Sequence, residues 1–326
     1  MGTEPTGTDR HRPGTGPAAS RPPPVHPGNP VHPVNVGPIQ NPKSKIRYVL
    51  EAVRIQESLF ALPFAYVGML LAARGLPPIR PFLWVTLAMI GARNAGMAFN
   101  RVLDRDMDAL NPRTANRHLP RGLLQPWELT ALGVAGLALF FLAAAELNPL
   151  ALALSPVAAL FVAGYSLVKR FTWLTHLALG MTLAIAPAGG WIGVTGSFSW
   201  EVAPLIFIVA TFATGFDIFN TVQDVEFDRT HRVYSLPARF GLPAAFWVSR
   251  ALHVCTACGL LALGLWLQLS SPYFIGCAIA TGLLVYEHRV VSPRDLSRLG
   301  FVFLRINALI SVVVFSFTLL AVVLPR

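Results

Sequence analysis

Of the 326 residues, 54% are hydrophobic and 13% charged, with a mean hydropathy of +0.54, whereas soluble domains carry roughly 25% charged residues. That balance excludes a soluble globular protein and predicts an all-α integral membrane protein, because each span needs about 20 mostly apolar residues to cross about 30 Å of hydrocarbon. The net charge of +10 is what a positive-inside excess of Lys and Arg produces; it points to anionic lipid headgroups as partners and implies no nucleic acid.

Residues 1–42 hold eleven prolines and almost no large apolar side chains. Such a segment buries too little surface to offset its ordering entropy, so a disordered tail is expected, and it lacks the apolar run of a signal peptide. The membrane domain is expected over 43–326. Nine apolar segments follow in order, near 47–72, 81–103, 127–145, 149–168, 173–195, 202–222, 243–268, 272–290 and 300–324. The fourth and fifth are separated only by Lys169 and Arg170. Basic residues fall in alternate connections: Lys43, Lys45 and Arg47; Arg105 to Arg121; Lys169 and Arg170; Arg229, Arg232 and Arg239; Arg289, Arg294 and Arg298. The amino terminus and these loops are therefore predicted cytoplasmic. Cys255, Cys258 and Cys277 all lie in predicted spans, and a lone CxxC there reads as helix packing rather than as a metal or redox site.

At the end of the second segment runs Asn100 to Gly122, NRVLDRDMDALNPRTANRHLPRG, with three carboxylates and five arginines. On a helix, Asn100, Asp104 and Asp108 share one stripe and Asp106 points away. A second copy follows the sixth segment, where Asp217, Asp224 and Asp228 lie at offsets of seven and eleven, with Asn220 near that face and Glu226 turned aside. Leu119-Pro120-Arg121-Gly122 is echoed by Leu236-Pro237-Ala238-Arg239-Phe240-Gly241, and seven of the sixteen acidic residues fall in these two stretches. Oxygen donors in this pattern suit Mg²⁺, commonly held by one or two carboxylates together with substrate phosphates. The candidate metal ligands are Asn100, Asp104, Asp108, Asp224 and Asp228. Candidates to grip a phosphate are Arg113, Arg117, Arg121, Lys169, Arg229 and Arg239.

With those motifs laid out, residues 45–326 resemble the UbiA-type intramembrane aromatic prenyltransferases, closest to the 4-hydroxybenzoate and menaquinone-pathway members. The NDxxDxxxD motif is matched by Asn100, Asp104 and Asp108, with Arg101 in place of the usual Asp; the second Asp-rich motif is matched by Asp217, Asp224 and Asp228. LFALPFAYVG at 59–68, Tyr165 with Lys169-Arg170, APAGGWIGVTG from Ala186 and SLPARFG from Ser235 resemble the same group. Gln56 and Glu57 stand where many relatives carry a His-bearing sequence. The resemblance implies nine transmembrane helices around a central cavity, both Asp motifs at a cytoplasmic cap, two Mg²⁺ ions, and transfer of a polyprenyl group from its diphosphate to a phenolic ring carbon in quinone biosynthesis.

Asp104, Asp224 and Asp217 are the candidate catalytic carboxylates. Asp217 lies two turns deeper in the membrane, where an ionisable group is costly unless paired or wet. It is a candidate to bind metal, orient the phenol or take its proton; pairing with a basic residue is the structural alternative. Phe99, Tyr165, Phe212 and Phe216 are candidates to face an allylic cation. Competing readings are acceptors of the chlorophyll, haem or archaeal-lipid type, a transporter, and a non-catalytic scaffold.

Overall fold

The computed structural model describes residues 42–54 and 58–324. The first element, α1 (Pro42–Ala52), reads PKSKIRYVLEA and is too charged for hydrocarbon. It is separate from α2 (Ser58–Ala73), so the single span expected over 47–72 is two helices. Polar partners hold α1 in its own place. Arg47 Nε donates to Glu51 one turn on at 2.7 Å, and Lys45 pairs with Glu128. Arg101 Nε donates to the Ala52 carbonyl at 3.1 Å, satisfying a helix-end oxygen that has no partner within its own helix. The tail expected over 1–42 lies outside the described residues except for Pro42, as do Gln56 and Glu57.

The chain continues as α3 (Ile79–Leu103), α4 (Arg105–Leu110), α5 (Pro126–Leu147), α6 (Pro149–Gly164), α7 (Thr175–Thr195), α8 (Ala203–Thr221), α9 (Val225–His231), α10 (Leu236–Trp266), α11 (Ser271–Val290), α12 (Leu299–Phe301) and α13 (Asn307–Val323). Among the described residues there is no β-strand. Turns of 3₁₀ helix extend α6 through Tyr165–Arg170 and α8 through Val222–Asp224. Seven helical stretches are long and apolar enough to cross a membrane: Ile79–Leu103, Pro126–Leu147, Pro149–Arg170, Thr175–Thr195, Trp200–His231, Leu236–Trp266 and Leu299–Val323. The other two expected spans correspond to α2, of 16 residues, and α11, whose last turn carries His288 and Arg289; neither is among the seven.

The core forms around α8, which is mostly apolar and buried along most of its length, as a helix surrounded by others must be. Phe212, Phe216 and Phe219 on α8 pack with Phe64 of α2, Phe246 of α10 and Phe303 beside α13. Small residues set the close crossings, since helices in lipid associate through backbone approach rather than a hydrophobic drive. An added Cβ at Gly91 of α3 would lie 2.6 Å from the Gly136 carbonyl of α5, and one at Gly136 would lie 2.7 Å from that of Gly91.

The echoed Leu-Pro stretches have a structural basis. Gly122 ends the first with φ +70°, and Gly241 ends the second with φ +85°, interrupting α10 near its start. Both turns use the left-handed region that glycine enters without steric cost. In each half the glycine closes a cap segment before the next long helix.

Candidate active site

Both motifs deviate from the continuous helical stripe that their spacing predicts. α3 stops at Leu103, Asp104 has φ −92° and ψ 0°, and α4 then starts afresh. Likewise α8 gives way to a 3₁₀ turn, Asp224 has φ −100° and ψ 3°, and α9 follows. Each leading aspartate thus occupies the sparsely populated bridge region, where active-site residues recur. Asp108 and Asp228 then fall in the first turns of α4 and α9. The break preserves the intended sidedness: Asp104, Asp108, Asp224 and Asp228 are buried, while Asp106 and Glu226 are exposed.

Asp104 Oδ2 accepts from Lys169 Nζ at 2.6 Å and from Asn100 Nδ2 at 3.0 Å. Burial raises its pKa above the ordinary carboxylate value, with the Lys169 charge opposing the rise. Arg117 Nη1 reaches both oxygens of Asp108, at 2.7 and 2.6 Å. Asp224 is gripped from the first motif's own loop: Arg113 donates through Nε at 2.8 Å and Nη2 at 2.5 Å, and Asn111 Nδ2 at 3.0 Å. These contacts, across more than a hundred residues, make the two motifs one site. Asp228 Oδ2 accepts from Ser235 Oγ at 2.6 Å, and Ser235 also caps α10 through the Ala238 N–H.

All five proposed metal ligands line one cavity of about 270 Å³. Their donors are hard oxygens, and Asp104 Oδ1 is buried without a hydrogen-bond partner. A buried carboxylate oxygen left unpaired is costly unless something else takes it up. The donors are of the type that suits Mg²⁺, although among the described residues no three acidic side chains are grouped closely enough to enclose an ion, three of them being held by cations instead.

Of the six candidate phosphate cations, Arg113, Arg117 and Lys169 line the cavity. Arg121 is exposed, Arg229 Nε donates to the Ala238 carbonyl at 2.9 Å, and Arg239 lies over the Phe240 ring; these three are not brought to the cavity wall. Of the four candidate aromatics, Tyr165 and Phe216 line it. Phe99 instead faces Gly133 of α5, and Phe212 is buried against Phe64. Asp217 also faces the cavity, with Oδ2 2.7 Å from His176 Nδ1.

Several lining residues carry no motif signal. Asn111 and Ser235 sit inside the quoted stretches but are recognisable only once the chain folds back on itself. Arg54 and Arg93 lie outside them, and His176 is a lone histidine in an apolar helix. Beside this polar cavity lies an almost wholly apolar one of about 370 Å³, walled by α3, α5, α6 and α7. The two share Arg93, Tyr165, Leu179 and Leu183.

A polar, oxygen-rich pocket opening onto an apolar one suits an amphiphile with a charged head, and similarity to known proteins gives the same direction. The model of the UbiA prenyltransferase family matches residues 61–322. The chain is 31% identical over 231 residues to a 4-hydroxybenzoate octaprenyltransferase of Vibrio cholerae, covering 70% of this chain and 80% of that protein. The solved structure of a UbiA homologue from Aeropyrum pernix superposes with a TM-score of 0.74 at 32% identity, over 81% of this chain and 97% of the other. A UbiA homologue from Archaeoglobus fulgidus bound to GPP and Mg²⁺ shares the fold, with a TM-score of 0.65 at 19% identity over 84% and 99% of the two chains. This chain belongs to the UbiA prenyltransferase family and is a prenyltransferase.

Proposed function

We propose that the protein transfers a polyprenyl group from polyprenyl diphosphate to a ring carbon of a 4-hydroxybenzoate-like acceptor, in quinone biosynthesis and with Mg²⁺. The observation that carries this reading is the convergence of four buried motif carboxylates with Arg113, Arg117 and Lys169 around one cavity that adjoins an apolar one. Asn100, Asp104, Asp108, Asp224 and Asp228 would hold two Mg²⁺ ions. Bound there, the metal supplies Lewis-acid stabilisation of the leaving diphosphate.

The chain's own residues do the rest. Each of Asp104, Asp108 and Asp224 already has a cationic partner, in Lys169, Arg117 and Arg113. With a metal diphosphate bound, these carboxylates would be the groups to hold the metal, and Lys169, Arg117 and Arg113 the groups to hold the phosphate oxygens, the guanidinium groups bidentately. Tyr165 and Phe216 offer ring faces to the allylic cation, each worth roughly 2 kcal/mol when desolvated. The apolar cavity takes the prenyl tail and keeps water from the cation. Arg93, at the junction of the cavities, offers a charge to the acceptor's carboxylate.

Counting α2 and α11 as crossings gives nine transmembrane helices. The clustering of Lys and Arg supports an amino terminus and a site on the cytoplasmic side of the cell membrane.

The deciding experiment is turnover by purified protein in lipid, with polyprenyl diphosphates of several lengths and 4-hydroxybenzoate, followed by product mass with and without Mg²⁺. Prenylated hydroxybenzoate formed only with Mg²⁺ is the expected outcome. Diphosphate release without that product would overturn the acceptor and send the search to the phenols and lipid alcohols used elsewhere in the family.

A further inference from the structure

His176 has two defined contacts, and together they fix its proton. Its Nε2 lies 3.3 Å from the backbone nitrogen of Leu236. Leu236 is the first residue of α10, and its N–H is one of the amides at a helix start with no partner inside the helix. A backbone N–H can only donate, so Nε2 is the accepting nitrogen. The proton of the neutral imidazole then sits on Nδ1, 2.7 Å from Asp217 Oδ2, and is donated to that carboxylate. Exposure separates the partners: the His176 side chain is 3% accessible and that of Asp217 20%. Both side chains line the cavity, and the carboxylate is the more exposed of the two.

We propose that His176 is a positioning residue, locked as the Nδ1–H tautomer by Leu236, which pins one oxygen of Asp217 so that the other accepts the hydroxyl proton of a phenolic acceptor. This deepens the functional reading above and rests on it. As the ring carbon ortho to the hydroxyl forms its bond to C1 of the prenyl group, the C1–O bond breaks and its electron pair leaves with the diphosphate. The hydroxyl proton passes to Asp217, leaving a ring ketone. The proton on the newly substituted carbon departs with the diphosphate, and Asp217 returns its proton to the oxygen. The sum is a prenylated phenol and protonated diphosphate. The usual division of labour between a carboxylate and a histidine is reversed here: the histidine orients and the carboxylate acts.

The test compares wild type, His176→Phe and His176→Asn on 4-hydroxybenzoate and on 3-fluoro-4-hydroxybenzoate, which has a free ortho position and a more acidic hydroxyl. His176→Phe is expected to lower kcat on 4-hydroxybenzoate by roughly 10- to 100-fold, the usual effect of losing an orienting partner. KM for the prenyl diphosphate and stabilisation by a prenyl thiodiphosphate should stay at wild-type levels. On the fluorinated acceptor, whose more acidic hydroxyl gives up its proton with less help, the loss should be smaller. His176→Asn, whose amide can donate near the Nδ1 position, should recover most of the rate. Equal losses on both phenols, or an Asn variant as poor as the Phe variant, would overturn the positioning role while leaving the function intact. A wild-type protein that prenylates neither phenol would overturn the functional reading and this role together.

Discussion

The two halves of the site share a backbone but not a chemistry. Asn100-Arg101-Val102-Leu103-Asp104 and Asn220-Thr221-Val222-Gln223-Asp224 align residue for residue, and both lead through a bridge-region aspartate into a short cap helix bearing Asp108 or Asp228. Yet in the first half the loop after the motif carries the cations: Arg117 serves its own Asp108, and Arg113 reaches across to Asp224. In the second half Asp228 has a neutral partner in Ser235, and Arg229 and Arg239 point elsewhere. The second half instead carries Asp217 deep in the cavity with its histidine. On the function proposed above, the shared part would supply oxygen donors for metal, and the divergence would assign phosphate gripping to one half and the acceptor's proton to the other.

The largest expected effect tests the shared part. Asp104→Asn and Asp228→Asn should each lower turnover by on the order of 10³-fold, the upper scale for losing one preorganised electrostatic partner. Asp106→Asn should keep most of the activity, since that side chain is 89% exposed. Comparable losses in all three would break the equivalence of the two halves at its root. The divergent part is tested next. Arg113→Ala should cost roughly 10²-fold, because it removes a phosphate partner and leaves Asp224 less well held. Arg229→Ala should cost less than about fivefold, as expected of an exposed contact worth no more than about 1 kcal/mol. Steady-state rates at saturating substrate decide both, and a larger loss at Arg229 would move the phosphate site toward the second half.

The shared part was legible in the sequence because carboxylates in a membrane protein are few and their spacing is regular. What spacing could not convey is that the helices break at Asp104 and Asp224, whose partners Lys169 and Arg113 come from distant segments. The divergent part was less legible. Arg113 and Arg229 look alike on paper, since each follows its motif, and only the path of the chain sends one inward. His176 was invisible because its partner is 41 residues away and its tautomer depends on the start of α10. The first span was misread for a similar reason: residues 47–72 are apolar enough on average, but the polar side of α1 is bound by Glu128 and Arg101 from distant segments.

A smaller effect sharpens the role of Ser235. Ser235→Ala should lower turnover by about tenfold through loss of its bond to Asp228. It should also cost about 1 kcal/mol of stability through loss of the α10 cap. Thermal unfolding in detergent separates the two, because ligand-free stability reports the cap and the rate reports the carboxylate. A drop in stability with an unchanged rate would show that Asp228 needs no orienting partner, and the two halves would then differ only in their cations.

The last prediction concerns Arg101, which aligns with Thr221 and whose loss should show in stability more than in rate. The Thr221 hydroxyl bonds to the Asp217 carbonyl within its own helix. Arg101 is buried and joins the end of α1 to Asn100, through Ala52 at 3.1 Å and the Asn100 side chain at 3.3 Å. Arg101 also lines the cavity, but its two bonds anchor a charged helix that the second half has no counterpart for. Arg101→Thr, which makes the two halves alike, should remove about 1.5–3 kcal/mol, the scale of hydrogen bonds to a charged group. At roughly 2–4 °C per kcal/mol for a large domain, unfolding should shift down by several degrees. Hydrogen exchange should rise in α1 before any other helix, and turnover should fall far less than in Arg113→Ala. If turnover instead collapses while α1 stays protected, Arg101 belongs with the phosphate cations, and the first half holds one more functional charge than its contacts indicate.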